Sequence, residues 1–195
     1  MKKVILGLTL LSALSFSYAS FAEMETMSSP MPDSQMNSSD MKMNTMKKAK
    51  ADIINGSGKK IGTAMFMVVP GGVKVDVKVM GLKAGQHGIH IHEFGKCDTP
   101  SFTSAGEHFR PNEHKHGLKN AEGSHNGDMQ NIVIDKKGKG TYMVTNKMLS
   151  IGSEMNSIVR SGGTAIVIHE KADDQMSQPA GKAGKRIACG VIKGN

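Results

Sequence analysis

Seven side chains of this sequence are of the types that bind transition metals, and six of them are histidines. Imidazole is a good ligand for zinc and copper, and one carboxylate can complete a tetrahedral zinc site. Seven ligands exceed what a single four-coordinate ion needs, whereas two ions could each have four if one imidazole bridged them. The sequence therefore predicts a two-metal site, although spacing alone does not identify the bridging histidine. The seven residues are His90, His92, His108, His116, His125, Asp128 and His169.

The predicted ligands fall on two strand-like segments and one loop. His90 and His92 alternate with isoleucines, and at a period of two both rings leave the same face of a strand. His169 ends the apolar run 165–168, where it could also be an ordinary buried histidine. The other four candidates lie in the segment 108–128, so a loop has to bring them to the strands.

The fold that positions these residues is predicted to be all-β. A period of two over residues 73–80 is the signature of a half-buried strand. The valines at 73, 75, 77 and 79 alternate there with Lys74, Asp76, Lys78 and Met80. Short strands separated by glycine-rich turns, without a convincing amphipathic helix, favour an antiparallel sandwich or barrel. Two long connections, 95–128 and 170–185, are expected to be functional loops. The eight predicted strands are 51–55, 61–69, 73–80, 87–94, 131–135, 141–145, 164–169 and 187–192.

The first 22 residues are predicted to be a secretory signal peptide. Lys2 and Lys3 precede an apolar run over 4–14 that is short for a membrane span, and small residues follow. Cleavage is expected after Ala22, with Ala19 as the alternative, and a retained anchor helix is the competing interpretation. No second apolar segment of spanning length follows, so no stable membrane insertion is expected.

Residues 23–48 are predicted to be a disordered, methionine-rich extension, and 49–195 the folded domain. The segment contains seven methionines between Met24 and Met46 and no large aliphatic residues. A plain tether is the simplest role. A Cu(I)-gathering arm and an oxidant sink are alternatives, because thioethers select Cu(I) and are oxidised reversibly.

The net charge limits the class of binding partner, and the cysteine content bears on the redox state of the compartment. The net charge of +8 favours anionic partners, but no Trp, two Tyr and no dense Arg cluster argue against nucleic acid. In an exported chain a disulfide between Cys97 and Cys189 would persist, with two buried free thiols as the alternative. Neither cysteine has the spacing of a metal-ligand pair.

Six sequence blocks together resemble the copper/zinc superoxide dismutases, over roughly residues 50–192. They occur in the family's order and fill every metal-ligand position. The blocks are GIHIHEFG at 88–95, SAGEHF at 104–109, KHG at 115–117, HNGD at 125–128, HEKADD at 169–174 and GKRIACGVI at 184–192.

The resemblance implies an eight-stranded antiparallel Greek-key barrel that holds copper and zinc. It assigns His108 as the bridge between the two ions. The implied copper ligands are His90, His92, His108 and His169, and the implied zinc ligands are His108, His116, His125 and Asp128.

The resemblance also implies the reaction, in which superoxide anion is converted to oxygen and hydrogen peroxide as copper alternates between oxidation states. Arg186 would dock the anion and His108 would help to deliver protons, so both are candidate catalytic residues. Asp173 would link a copper histidine to a zinc histidine. Cys97 and Cys189 would form the intrasubunit disulfide.

One departure resembles the bacterial branch, which implies a periplasmic protein: Cys97 closely follows His92, and the extra length stands before His108. The loop 170–185 is short and lysine-bearing, so lysines such as Lys182 or Lys185 would guide the anion. The subunit interface of that branch differs from the animal one, so a homodimer is left open. The rival function is a periplasmic copper-buffering or copper-delivery protein on the same fold, which would not need Asp128 or Arg186. His87 is expected to be structural, and His114 an exposed loop residue.

Overall fold

The computed structural model describes residues 47–195, and nine β-strands form its framework. A single short 3-10 helix, Thr103–Ala105, accompanies them in this part of the chain. The strands are β1 (Lys48–Asn55), β2 (Lys60–Val69), β3 (Gly72–Met80), β4 (Gly85–His87), β5 (Ile89–His92), β6 (Ile132–Ile134), β7 (Lys139–Asn146), β8 (Thr164–His169) and β9 (Arg186–Gly194).

All strand pairs are antiparallel and form one sheet that curves into a nearly closed barrel. The spatial order is β4-β6-β7-β3-β2-β1-β9-β8-β5, so the two ends of the sheet are β4 and β5. Because these two strands follow each other along the chain through Gly88, the ends meet and the sheet becomes a barrel. The chain crosses from β3 to β4 while β3 itself pairs with β7, which is a Greek-key connection. The all-β barrel prediction is confirmed.

The predicted count of eight strands differs from the structure in one place. The segment 87–94, predicted as one strand, is divided at Gly88 because its two halves pair with different partners. His87 belongs to β4, which pairs with β6, whereas Ile89 to His92 pair with β8. A side chain at position 88 would lie 3.2 Å from His90 Cε1 and 3.3 Å from Asp173 Cβ, so glycine permits this close approach.

Alternation along the strands fills the barrel with apolar side chains. In β1 the residues Ala49, Ala51 and Ile53 are buried, and those between them are exposed. The valines of β3 and Phe66 of β2 meet them in the interior. The sheet therefore forms a rigid support on which the longer loops can hold side chains precisely.

The outer edge of β5 is covered by the loop that joins β5 to β6. The amide of Ile91 donates to the carbonyl of Gly127 at 2.9 Å, and the amide of Phe109 donates to the carbonyl of Ile91 at 2.8 Å. Isolated bridges pair His90 with Asp128 and His92 with His108. The loop thus substitutes for a strand and brings its own ligands beside those of β5.

The predicted disulfide between Cys97 and Cys189 is present, with the Cα atoms 5.7 Å apart. It ties the loop after β5 to strand β9. Cys189 packs with Phe102 and Val167 in a small apolar cluster outside the barrel. Main-chain hydrogen bonds, the disulfide and apolar packing therefore all fix the position of this loop.

A third long connection, 147–163, joins β7 to β8 and was not among the predicted functional loops. The predicted signal peptide and nearly all of the predicted extension lie outside the described residues, and β1 begins at Lys48. Within 47–195 no helix has the length and apolar character to cross a membrane.

Candidate metal centre

Four buried histidines, three on barrel strands and one on the loop after β5, direct ring nitrogens toward one point. The ligand atoms of the set His90, His92, His108 and His169 all lie within 4.8 Å of one another. An unpaired polar atom is costly in a protein interior, so four together require an explanation. A bound cation supplies it, and imidazole nitrogens suit copper. The ring nitrogens of this set that have no hydrogen-bond partner are His90 Nδ1, His92 Nε2, His108 Nε2 and His169 Nε2.

Hydrogen bonds on the far side of three rings fix their tautomers. His90 Nε2 donates to Asp173 Oδ2 at 2.8 Å, and His92 Nδ1 donates to the carbonyl of Gly106 at 2.9 Å. His169 Nδ1 donates to the carbonyl of Gly184 at 3.2 Å. Because each of these nitrogens carries the hydrogen, the other nitrogen presents its lone pair to the common point.

A second set of ligands surrounds one carboxylate oxygen. Asp128 Oδ1 lies 2.9 Å from His108 Nδ1, 3.1 Å from His116 Nδ1 and 3.4 Å from His125 Nδ1. The Nδ1 atoms of His108 and His125 are 3.5 Å apart. Ligands about 2.0–2.1 Å from a tetrahedral zinc ion would be separated by roughly 3.4 Å, so this set has the dimensions of a zinc site.

His108 belongs to both sets through its two nitrogens. Nδ1 faces Asp128, and Nε2 is one of the four unpaired atoms of the first set. His108 thus has the position that a bridging histidine would need, which spacing alone could not identify. Its ring centroid lies 3.9 Å from that of His90, so the two metal sets are contiguous.

A second link between the two sets is made by Asp173. Its Oδ2 accepts a hydrogen bond from His90 Nε2 at 2.8 Å, and its Oδ1 lies 3.0 Å from His116 Nε2. The amide of Gln175 also donates to Asp173. At Gly181, where φ is +62°, any Cβ would overlap Asp173 Oδ1, so only glycine leaves room for this link.

Burial and the neighbouring carboxylates act in opposite directions on the two sets of rings. Burial lowers the pKa of His90 and of His169 to about 4 and that of His108 to about 3. Burial also holds the pKa of His92 well below its usual value. Burial opposes the protonated form of His116 too, but its hydrogen bonds to Asp128 and Asp173 outweigh burial and raise its pKa to about 9. The first set is therefore neutral at neutral pH, as metal ligands must be.

The metal-free protein is expected to be most stable near pH 6.5–7 and to lose stability faster on the acid side. Below pH 6.5 the unfolded chain binds protons at four histidines whose folded-state pKa values are lowered. The stability contributed by His116 is complete below 6.5 and is lost as the pH rises through about 9. Thermal unfolding of chelator-treated protein between pH 4 and pH 9 measures this dependence. A melting temperature that rises from pH 6.5 to pH 4 would contradict it.

Arg186 is held beside the first set by the disulfide-bonded loop. Its guanidinium donates to the carbonyl of Phe102 at 2.8 Å and to that of Gly106 at 2.6 Å. The carbonyl of Gly106 also accepts from His92, and Arg186 is the register partner of His169. Only 16% of the Arg186 side chain is exposed, and burial lowers its pKa, but a guanidinium remains charged. A fixed positive charge therefore adjoins the rings that can hold copper.

The two remaining histidines lie where the sequence predicted, one buried in a structural position and one exposed in a loop. His87 is buried, and its ring nitrogens lie 2.8 Å from the carbonyl oxygens of His169 and Lys83. His114 is exposed in the loop and contacts Asn112 and Ser124. Neither belongs to a metal-binding group among the described residues.

Sequence reasoning missed several groups that orient the ligands. These are the carbonyls of Gly106 and Gly184, and the side chain of Asn131, which bonds the main chain of Asp173 in both directions. Of these groups only Asn131 could have been noticed in the sequence, because it acts through its side chain and stands at the start of a predicted strand.

Comparison with known proteins agrees with this geometry. The family model of copper/zinc superoxide dismutase matches residues 60–192. Copper-zinc superoxide dismutase 1 of Aquifex aeolicus is 48% identical over 148 residues, which are 75% of this chain and 88% of the relative. The copper-zinc superoxide dismutase of Deinococcus radiodurans is 38% identical over 156 residues, covering 74% of this chain and 83% of that protein.

A solved structure shares the fold. The crystal structure of a superoxide dismutase-like protein from Bacillus subtilis superimposes with a TM-score of 0.71 at 32% identity, and 73% of this chain and 96% of that one are covered. The family model covers the strands from β2 to most of β9 and all of the candidate metal ligands. The chain therefore belongs to the copper/zinc superoxide dismutases, enzymes that use copper and zinc to convert superoxide into oxygen and hydrogen peroxide.

Proposed function

We propose that this chain removes superoxide at a copper ion held by four histidines, with a neighbouring zinc ion that shapes the site. The observation that carries the proposal is the convergence of four unpaired imidazole nitrogens beside the fixed guanidinium of Arg186. His90, His92, His108 and His169 would hold copper. The zinc ligands would be His108, His116, His125 and Asp128.

Copper bound there supplies one-electron chemistry by alternating between its two oxidation states. The protein's own groups would bind the anion and manage its protons. Arg186 provides a positive charge that needs no proton of its own, and this charge attracts and orients superoxide. His108 Nε2 would hold a proton for the peroxide product, because its Nδ1 stays anchored toward Asp128.

A copper-buffering or copper-delivery protein is the competing function. Such a protein would need the four converging nitrogens but not a second set with zinc dimensions. It would also have no use for an arginine fixed by two main-chain carbonyls beside the metal ligands. Both features are present, which favours the enzyme.

The direct test measures metal content and superoxide removal on the purified mature chain. We expect copper and zinc to bind in equal amounts and the loaded protein to remove superoxide. Removing copper alone is expected to abolish the activity. Full metal occupancy without activity would support the copper-handling alternative instead.

Replacing Arg186 with alanine is expected to lower kcat/KM for superoxide by roughly 10-fold or more, because local steering of an anion is lost. Copper content is expected to stay unchanged, since Arg186 donates to carbonyls and binds no metal. Arg186→Lys keeps the charge but not the two-carbonyl geometry, and should recover part of the rate.

The matched control for this experiment is Lys59→Ala, in the turn between β1 and β2. It removes the same unit of charge without touching the site. Equal activity in the Arg186→Ala variant and the wild type would contradict the assigned role. So would an equal loss in the Lys59→Ala variant, because the effect would then reflect net charge.

We also propose that the chain is exported to the periplasm and protects the cell envelope. The apolar run after Lys2 and Lys3 and the disulfide support this, since structural disulfides persist in oxidising compartments. Cell fractionation followed by amino-terminal sequencing tests it. A mature chain beginning at Glu23 in the periplasmic fraction is expected, and an uncleaved chain in the cytoplasm would contradict it.

A further inference from the structure

Three exposed methionines lie together on the outer face of the barrel, away from the metal-binding histidines on β5. Met65 and Met67 of β2 are 43% and 37% exposed, and Met143 of β7 is 62% exposed. Large apolar side chains at such exposure are unusual when they are grouped. Their neighbours along β2, Ala64 and Phe66, are buried in the barrel, so the alternation places the methionines on the solvent side.

The strand register brings these methionines around one carboxylate. Met65 of β2 and Met143 of β7 are both directly opposite Asp76, which lies between them on β3. Met67 is two residues from Met65 on the same face and is diagonal to Asp76. Directly opposed residues have Cβ atoms about 4.5–5.5 Å apart, and diagonal residues lie about 7–8 Å apart. Methionine has three rotatable side-chain bonds, so all three thioethers can reach the space above Asp76.

We propose that Met65, Met67 and Met143 form an external Cu(I) site, with Asp76 at its base. Thioether sulfur is a soft ligand that selects Cu(I) over harder divalent ions. The charges around the cluster act in the same direction. Lys50 is opposite Met65, and Lys48 and Lys74 are both opposite Met67, so a divalent cation is repelled more strongly than a monovalent one. Asp76 provides one negative charge, which offsets part of the positive charge of these lysines.

The position of the cluster relates it to the methionine-rich segment of the sequence. Lys48, the first residue of β1, is the register partner of Met67. The seven methionines between Met24 and Met46 therefore precede the domain at the strand end that lies beside this cluster. This inference goes beyond superoxide removal and does not depend on it.

The test uses the full, metal-loaded chain with its resident copper reduced to Cu(I), its disulfide intact and carbon-13 labels on its methionine methyl groups. Cu(I) is added anaerobically as its acetonitrile complex, and the methyl resonances are followed by NMR. We expect the resonances of Met65, Met67 and Met143 to shift together. Those of Met80, Met155 and Met176, which are also exposed, should stay in place.

The variant Met65→Leu/Met67→Leu/Met143→Leu is expected to bind Cu(I) at least about 10-fold more weakly in competition with a chromophoric chelator. Leucine keeps the volume and the apolar surface, so the fold should be retained. Met80→Leu/Met155→Leu/Met176→Leu is the matched control. Equal shifts of all exposed methionines, or unchanged Cu(I) uptake by the first variant, would overturn the proposal.

Discussion

Replacing Asp128 with asparagine is expected to abolish zinc binding and, with zinc present in the buffer, to lower the free energy of unfolding by about 3–5 kcal/mol relative to the zinc-loaded wild type. Asp128 Oδ1 faces ring nitrogens of three histidines, and Oδ2 accepts from the amides of Gly117 and His125. An amide carries no negative charge. Whichever way it is turned, its NH2 group faces either ring nitrogens or backbone donors.

Zinc content after dialysis and chemical denaturation with and without zinc measure the two effects. The matched control is Asp174→Asn, because Asp174 is an exposed carboxylate whose bonds are to Ser177 and Met176. That variant should keep its zinc. Wild-type zinc affinity in the Asp128→Asn variant would show that the second ligand set does not bind zinc through this carboxylate.

Copper binding should also respond to the Asp128→Asn change, by a smaller amount. Asp128 anchors Nδ1 of His108, whose other nitrogen belongs to the copper set. Groups that orient a ligand typically change metal affinity by about 10- to 100-fold. A copper affinity that falls within this range, with zinc lost completely, would match the shared position of His108.

Removing the disulfide with Cys97→Ala/Cys189→Ala is expected to lower the free energy of unfolding by roughly 4 kcal/mol, since the bond closes a loop over a sequence separation of 92. Alanine is preferred to serine because Cys189 is completely buried among apolar groups. Removing the disulfide should also disturb the position of Arg186. The carbonyls of Phe102 and Gly106, which accept from Arg186, belong to the loop that the disulfide fixes.

Equilibrium unfolding and kcat/KM at several salt concentrations test both parts of this expectation. The copper content of the double variant is measured in parallel, so that a lower rate can be assigned to Arg186 and not to a missing ion. The wild-type protein treated with a reductant serves as the comparison. A variant with unchanged stability and rate would contradict the role of the bond.

The strand pattern predicted most of the barrel because alternation reports which residues face the core. The valines of β3 are the clearest case, since each one is buried as the period of two requires. The division at Gly88 could not be predicted in this way. Alternation continues across His87 to His92, and only the different partners of β4 and β5 separate the two strands.

The ligand residues were recognisable from their side chains, but the groups that orient them mostly were not. A carbonyl such as that of Gly106 is carried by every residue, so no letter in the sequence indicates that it accepts from both His92 and Arg186. The bridging role of His108 likewise depends on which nitrogen faces which set. Asp173 was assigned through the family resemblance, and its contacts with His90 and His116 agree with that role.

The covering of β5 by the zinc-site loop has a consequence for self-association. The main-chain groups of Ile91 bond to Gly127 and Phe109, residues that neighbour the candidate zinc ligands Asp128 and His108. Loss of zinc would loosen this cover and leave the edge of β5 unpaired. Such edges are templates for pairing with other chains. Zinc binding would then reduce aggregation, because it keeps the edge of β5 covered, as well as stabilise the copper site.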